Sequence, residues 1–201
     1  MIQPVILFQG DSITDCNRFI NNDLGDGYVN NISKMYPNAI IINKGISGNK
    51  TIDLLLRWDE DTVALKPDVL SIFVGVNDIW HRYSNLSTDT FEDFKNNYKT
   101  LLEKTKKQLP NTKILLIEPY LLVSDDFQAS WRHEVDAAIH VVRSLALEFA
   151  DEFIPLDGLM AEAAFKYGKD VIMWDGIHPT PFGHELIASI VSQKISELIK
   201  K

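Results

Sequence analysis

The amino-acid sequence predicts an α/β fold: a three-layer sandwich in which a parallel sheet of about five strands lies between helices. Short apolar runs recur along the chain, and they are nearly continuous rather than alternating, which is typical of strands covered on both faces. Helical patterns separate these runs, and such alternation favours a parallel sheet with helices on both sides. We expect one domain over residues 1–201, with its strands in flavodoxin-like order.

Five apolar runs are predicted to form the strands. In chain order they read "VILF", "AIIIN", "DVLSIFV", "KILLIEP" and "FIPL", and they begin at Val5, Ala39, Asp68, Lys113 and Phe153. In open parallel sheets, ligands bind at the carboxyl ends of the strands, near the point where the strand order reverses. The polar residues that directly follow each run are therefore the first candidates for a functional site.

Three stretches between the strands have apolar residues at the three- and four-residue spacing of an amphipathic helix. They read "TIDLLLRWDEDTVAL", "TFEDFKNNYKTLLEKTKKQL" and "SWRHEVDAAIHVVRSLALEFA". A last helix is predicted to begin at Pro181 and to end in "ELIKK", whose lysines complement the helix dipole. Residues 16–27 and 119–129 are the least regular, and we expect them to form loops.

The composition excludes several classes of protein. A hydrophobic content of 45% and a charged content of 24% are ordinary for a globular chain. The net charge of −8 argues against nucleic acid or an anionic membrane as a partner. Cys16 is the sole cysteine, so no intramolecular disulfide can form, and we interpret it as a small hydrophobe. The N-terminus lacks the pattern of a signal peptide, which predicts a cytoplasmic protein.

Four polar clusters stand out because they follow predicted strands or precede the last helix. They are "GDS" at residues 10–12, "NKGISGN" at 43–49, "GVNDIW" at 75–80 and "WDGIHP" at 174–179. Together they contain a serine, a histidine, carboxylates, asparagines and flexible glycines. These are the groups that acyl transfer requires: a nucleophile, a base, an orienting carboxylate and donors for an oxyanion.

The chemistry suggests a role for each group. A serine hydroxyl is a poor nucleophile until a histidine accepts its proton, and the histidine needs an acceptor on its other nitrogen. Ser12 is the predicted nucleophile, His178 the base and Asp175 its partner, three residues away. The backbone N–H groups of Ser12 and Gly48 and the side-chain amide of Asn77 are the predicted oxyanion donors. This chemistry needs neither a cofactor nor a metal.

The blocks "GDSIT", "GISGN", "GVND" and "DGIHP" resemble the SGNH, or GDSL-type, hydrolase superfamily, with Ile13 in place of the leucine of its name. The longer strings "LFQGDSITDCNR", "LGDGYV", "NKGISGN", "KPDVLSIFVGVNDIW" and "WDGIHPTPFGH" are similar to its bacterial acetyl-xylan esterase branch. The resemblance implies the roles given above, a substrate such as an acetylated xylo-oligosaccharide, and an expectation of homo-oligomers. Arg57 and Trp58 match that branch too, and we expect them to serve subunit packing.

Three further residues form the predicted substrate-binding set. Trp174 and Trp80 flank two of the blocks, and aromatic faces can stack on sugar rings, although tryptophans near strand ends are also common core residues. Asp11 is interpreted as a hydrogen-bond acceptor that organises the loop before Ser12. Ser47 does not fit the Gly-x-Ser-x-Gly elbow, because Asn49 stands where that pattern needs a glycine.

Other functions remain open from the sequence alone. A lysophospholipase, a thioesterase or a general short-chain arylesterase of the same superfamily would use the same residues. A metal held by Asp11, Asp15, Asp175 and His178 is conceivable, but it would leave the oxyanion donors without a role. A non-catalytic flavodoxin-like binding module would leave the Asp175 and His178 pair without a role.

Overall fold

The computed structural model describes residues 3–200, which form a five-stranded parallel sheet between layers of helices. The strand order is β2-β1-β3-β4-β5, and all four neighbouring pairs are parallel. The strands are β1 (Val5–Gly10), β2 (Ile40–Asn43), β3 (Val69–Phe73), β4 (Lys113–Ile117) and β5 (Glu152–Ile154). The predicted α/β class and the flavodoxin-like order are both confirmed.

Nine helices surround the sheet in the part of the chain that the structure describes. They are α1 (Ser12–Asp15), α2 (Tyr28–Met35), α3 (Thr51–Asp61), α4 (Val76–Tyr83), α5 (Phe91–Gln108), α6 (Asp126–Phe149), α7 (Leu156–Tyr167), α8 (Lys169–Ile172) and α9 (Pro181–Lys200). A short 3-10 turn, Val63–Leu65, follows α3. The predicted helices correspond to α3, α5, α6 and α9.

Helix α6 begins earlier than the sequence pattern suggests. Asp125 precedes it, and the Asp125 side chain accepts a hydrogen bond from the backbone N–H of Gln128. An acceptor at this position satisfies a donor that the first helical turn would otherwise leave unpaired. The irregular stretch predicted over residues 119–129 therefore ends at Asp125, and Gln128 lies in the first turn of a helix.

Large aromatic side chains fill the space between the sheet and the helices. Trp58 on α3 is fully buried and donates a hydrogen bond from Nε1 to Thr105 Oγ1 on α5 at 3.0 Å. The expectation that Trp58 serves subunit packing is wrong, because its ring joins two helices inside the chain. Neighbouring Arg57 bonds to Asn49 Oδ1 and to Asp61. No helix in residues 3–200 is both long and apolar enough to cross a membrane.

The topology determines where a site can form. Strands β1 and β3 lie side by side at the centre of the sheet, while the chain runs from β1 to its other neighbour, β2. The order reverses between β1 and β3, which opens a crevice at their carboxyl ends. The segments that follow β1, β2 and β3 all begin at this edge.

Candidate active site

Ser12, His178 and Asp175 form one hydrogen-bonded row at the carboxyl edge of the sheet. Ser12 Oγ lies 2.9 Å from His178 Nε2, and His178 Nδ1 lies 2.7 Å from Asp175 Oδ2. The carboxylate accepts the Nδ1 proton, which leaves Nε2 free to accept the serine proton. The three residues that the sequence analysis selected, 166 positions apart at their extremes, are thus adjacent.

The turn after β1 presents Ser12 through the two residues that precede it, Gly10 and Asp11. A Cβ on Gly10 would lie 2.5 Å from the carbonyl oxygen of Phe73, so only glycine lets β1 end so close to β3. Asp11 caps α1, and its Oδ1 accepts the N–H of Ile13 at 3.0 Å. Ser12 is therefore the first residue of a helix, where backbone N–H groups have no partner within the helix.

The turn over residues 174–179 fixes Asp175 and His178 against each other. Asp175 Oδ1 accepts the backbone N–H groups of Ile177, at 2.9 Å, and of His178, at 2.7 Å. Gly176 has a φ of +88°, a conformation that favours glycine. The aspartate carboxylate is thus bound to the backbone of its own turn through one oxygen and to the imidazole through the other.

The electrostatics of the row favour a charged pair. Burial disfavours the ionised Asp175 carboxylate, but hydrogen bonds from His178 and the backbone outweigh it and lower the pKa of Asp175 to about 2. The hydrogen bond to Asp175 raises the pKa of His178 above its ordinary value, against the effect of burial. Burial raises the pKa of Asp11 to about 6, although Ile13 N–H and the charge of His178 oppose this rise.

The predicted oxyanion donors lie on two segments that touch each other. Asn77, on α4, donates one N–H of its side-chain amide to the carbonyl of Asn49 at 3.1 Å, which leaves the second N–H for another acceptor. Gly48 has a φ of +81°, and within residues 3–200 its backbone N–H has no hydrogen-bond partner. A Cβ on Gly48 would contact only His81 Cε1, at 3.8 Å, so backbone conformation rather than crowding favours glycine there.

Asp78 ties these two segments together, a contact that the sequence analysis did not identify. Both of its carboxylate oxygens accept the backbone N–H of Thr51, at 3.1 and 3.2 Å, and Oδ1 also accepts the Thr51 hydroxyl at 2.5 Å. The side chain is buried, and burial raises the pKa of Asp78 to about 7. The loop that contains Gly48 is thereby fastened to α4, which contains Asn77.

The three predicted substrate-binding residues have different environments. The Trp80 ring packs edge-on against the His178 ring, with the centroids 6.2 Å apart. Trp174 is 70% exposed beside Asp175, as a residue that meets a ligand would be. Asp11 is 1% exposed, which supports its interpretation as a loop-organising acceptor rather than a direct contact with substrate.

The remaining polar candidates have other partners. Ser47 donates from both its N–H and its hydroxyl to Asp15 Oδ2. Among residues 3–200, no three His, Cys, Asp or Glu side chains are arranged to hold a metal ion.

Cys16 is more than a small hydrophobe. Its thiol donates to Asp26 and lies 3.3 Å from His184 Nε2. Burial, together with Asp26, raises the pKa of the thiol to about 12. The thiol is therefore held in its protonated, unreactive form.

The fold and the site together define a carboxylic ester hydrolase, and comparison with known proteins agrees. The chain belongs to the GDSL-like lipase/acylhydrolase family, whose model matches residues 8–186. It is 32% identical to the acetylxylan esterase of Geobacillus stearothermophilus over 94% of this chain and 93% of that protein.

Two solved structures have the same architecture. One, described as a GDSL-like lipase from Parabacteroides merdae, is 36% identical with a TM-score of 0.89, and the match covers 98% of this chain and 96% of that chain. The other is Axe2, an acetylxylan esterase from Geobacillus stearothermophilus, at 31% identity and a TM-score of 0.82, covering 96% and 94%. Solved variants of Axe2 described as catalytic mutants replace a serine, a histidine and an aspartate.

Proposed function

We propose that this protein is a serine esterase that removes short acyl groups, acetyl in particular, from carbohydrate esters such as acetylated xylo-oligosaccharides. The observation that carries the proposal is the hydrogen-bonded row of Ser12, His178 and Asp175, with distances of 2.9 and 2.7 Å. With Asp175 ionised and the His178 proton on Nδ1, each donor in the row faces an acceptor, and Nε2 is free to accept the serine proton.

In the first half of the reaction, Ser12 Oγ attacks the ester carbonyl carbon while its proton passes to His178 Nε2. The carbonyl oxygen becomes an oxyanion, and Asp175 stabilises the imidazolium that forms. When the tetrahedral intermediate collapses, the bond between the carbonyl carbon and the sugar oxygen breaks. His178 gives its proton to that oxygen, so the sugar leaves as an alcohol and the acyl group stays on Ser12.

In the second half, water replaces the sugar. His178 removes a proton from the water as its oxygen attacks the acyl-enzyme, and the proton then returns to Ser12 Oγ as the carboxylic acid leaves. Both halves pass through an oxyanion, for which we propose the N–H groups of Ser12 and Gly48 and the free N–H of Asn77. A single donor of this kind typically contributes about 10²–10³ in rate.

The substrate class rests on the relatives and on the aromatic residues at the site. The curated relative and Axe2 are both described as acetylxylan esterases, and the similarity of each to this chain covers nearly the whole chain. The exposed ring of Trp174, directly before Asp175, offers an apolar face to a sugar beside the reacting groups. Trp80, packed on His178, forms another wall next to the base.

The test is acetate release from acetylated xylo-oligosaccharides, measured beside hydrolysis of p-nitrophenyl acetate, for the native protein and for Ser12→Ala. We expect release from both substrates and a loss of several orders of magnitude in the variant with its fold intact. Near-native turnover by Ser12→Ala would overturn the nucleophile. Activity on p-nitrophenyl acetate alone would reject the carbohydrate assignment. In a series of p-nitrophenyl esters, a preference for acyl chains longer than about eight carbons would also reject it.

A further inference from the structure

The turn that contains Asp175 and His178 is held from outside by residues 118–128, a segment that runs from the end of β4 into the first turn of α6. Three successive carbonyl groups of the turn, at residues 175–177, each accept a hydrogen bond from this segment. The donors are Gln128 Nε2, at 2.6 Å, the Leu122 N–H, at 2.9 Å, and the Tyr120 hydroxyl. Such a run of accepted bonds fixes both the position and the tilt of the turn.

Gln128 is itself held firmly enough to act in this way. Its Oε1 accepts the backbone N–H of Ser124 at 2.8 Å, and its backbone N–H donates to the Asp125 carboxylate, which caps α6. The side chain is 8% exposed. A Cβ on Gly176 would lie 2.7 Å from Gln128 Oε1, so the turn and the glutamine are in direct contact.

The bonds of the Asp175 carboxylate explain why an outside contact matters. Among residues 3–200, this carboxylate binds the backbone of its own turn and the His178 ring, and both lie within residues 175–178. These bonds align Asp175 with His178, but they do not fix the pair relative to Ser12, which follows β1. The bond from Gln128 reaches the main chain of Asp175 from a separate helix.

We propose that Gln128 is a positioning residue, which sets the Asp175 and His178 pair against Ser12 by holding the main chain of Asp175. This inference rests on the proposed function. Gln128 acts through Asp175 and has no role in bond making or breaking. Its amide is the donor that reaches Asp175 itself, so its loss displaces the orienting carboxylate directly.

Two substitutions separate the donor from the shape of the side chain. Gln128→Glu keeps an acceptor for the Ser124 N–H and removes the donor to Asp175. Gln128→Met keeps the length and removes both bonds. Ser130→Ala is the matched control, because Ser130 lies on the same helix, is exposed, and has a similar side-chain bond, to the Phe127 carbonyl.

Each variant is measured in two ways. The kcat is expressed per active site, counted with a fluorophosphonate, and the pKa of His178 is followed by NMR titration of its ring protons. We expect both Gln128 variants to lose about ten- to a hundredfold in kcat, the cost of misplacing reacting groups by about 1 Å, with KM nearly unchanged. We also expect the pKa of His178 to fall toward its ordinary value in Gln128→Met, which adds no charge beside the pair, while Ser130→Ala behaves as native.

Several results would overturn the inference. These are an unchanged kcat per active site, a loss explained by fewer intact sites, and, in Gln128→Met, a fall in kcat without a change in the pKa of His178. Absence of esterase activity in the native protein would contradict the proposed function instead. The NMR titration would then still decide whether Gln128 holds the pair, because it needs no substrate.

Discussion

Asp78 binds Thr51 through three hydrogen bonds, and this contact joins the loop of Gly48 to the helix of Asn77. The two residues are 27 positions apart, and the buried carboxylate is the acceptor for the first N–H of α3. Both predicted oxyanion donors outside the Ser12 turn therefore depend on one aspartate that has no part in bond making.

Replacing Asp78 with asparagine should reduce turnover. Asparagine keeps the shape and one acceptor oxygen, but its NH2 group replaces the second oxygen that faces the Thr51 N–H, so the loop loosens. We expect about a tenfold or greater loss of kcat and a stability loss of about 1–3 kcal/mol. Steady-state kinetics and amide hydrogen exchange at Thr51 measure the two effects. Thr51→Ser, which keeps the hydroxyl, is the control. Native kcat and native exchange at Thr51 in Asp78→Asn would contradict this role.

The pH profile of kcat/KM should report the Asp175 and His178 pair. His178 must be neutral to accept a proton, so kcat/KM should rise with pH through a midpoint above 6.5, because the bond to Asp175 raises the pKa of His178. Asp175→Asn should move that midpoint downward and lower kcat by roughly 10³–10⁴-fold. Acetate release in a pH-stat avoids the titration of nitrophenol. A midpoint that stays in place in Asp175→Asn would show that Asp175 does not tune His178.

Gly48→Ala tests the backbone conformation of the oxyanion loop. The φ of +81° is unfavourable for alanine, although a Cβ would meet only His81 at 3.8 Å. We expect a stability loss of about 1 kcal/mol and a disproportionate loss of kcat, because the N–H would tilt away from the oxyanion. Chemical denaturation measures the loss of stability, and steady-state kinetics measures the loss of kcat. Gly158→Ala on α7, where a Cβ would meet nothing within 4 Å, should keep native activity. Equal kcat in both variants would show that turnover does not depend on the left-handed backbone conformation of Gly48.

Local sequence patterns were sufficient to predict the strands and the residues of the hydrogen-bonded row, whereas the strand order followed from the fold class that the alternation of strands and helices implies. Each β-run is short, the three inner strands are almost wholly buried, and Ser12, Asp175 and His178 occur in blocks with recognisable spacing. The same patterns missed α2 and α4, which have only eight residues each and too few turns to establish a period.

Contacts between distant segments could not be predicted in this way. Gln128 lies 47 positions from Asp175, and a glutamine near a helix start has no feature that marks its partner. The interpretation of Cys16 as a small hydrophobe is incomplete because the sequence does not reveal that Asp26 and His184 lie beside its thiol. The expectation that Trp58 serves subunit packing fails because a tryptophan on an amphipathic helix does not by itself disclose a partner such as Thr105.

His184 should control how stability responds to acid. Its Nδ1 accepts the Tyr28 N–H at 3.2 Å and its ring stacks on the Tyr28 ring, so the imidazole is built into the core as the neutral form. Burial lowers the pKa of His184 to about 4. Between about pH 6.5 and 4 the unfolded chain therefore binds a proton that the folded chain does not, and the free energy of unfolding falls as the pH falls.

The expected size of this effect is roughly 3 kcal/mol between those two pH values, from the displacement of the pKa. His184→Gln removes the titration, so its free energy of unfolding should depend less on pH than that of the native protein. Urea denaturation at several pH values measures the free energy of unfolding of both proteins. The contributions of Asp11 and Asp175 to its pH dependence cancel in the difference, because these groups titrate in both proteins. The exposed His140, replaced in the same way, is the matched control. Parallel curves for the native protein and His184→Gln would mean that another group causes acid unfolding.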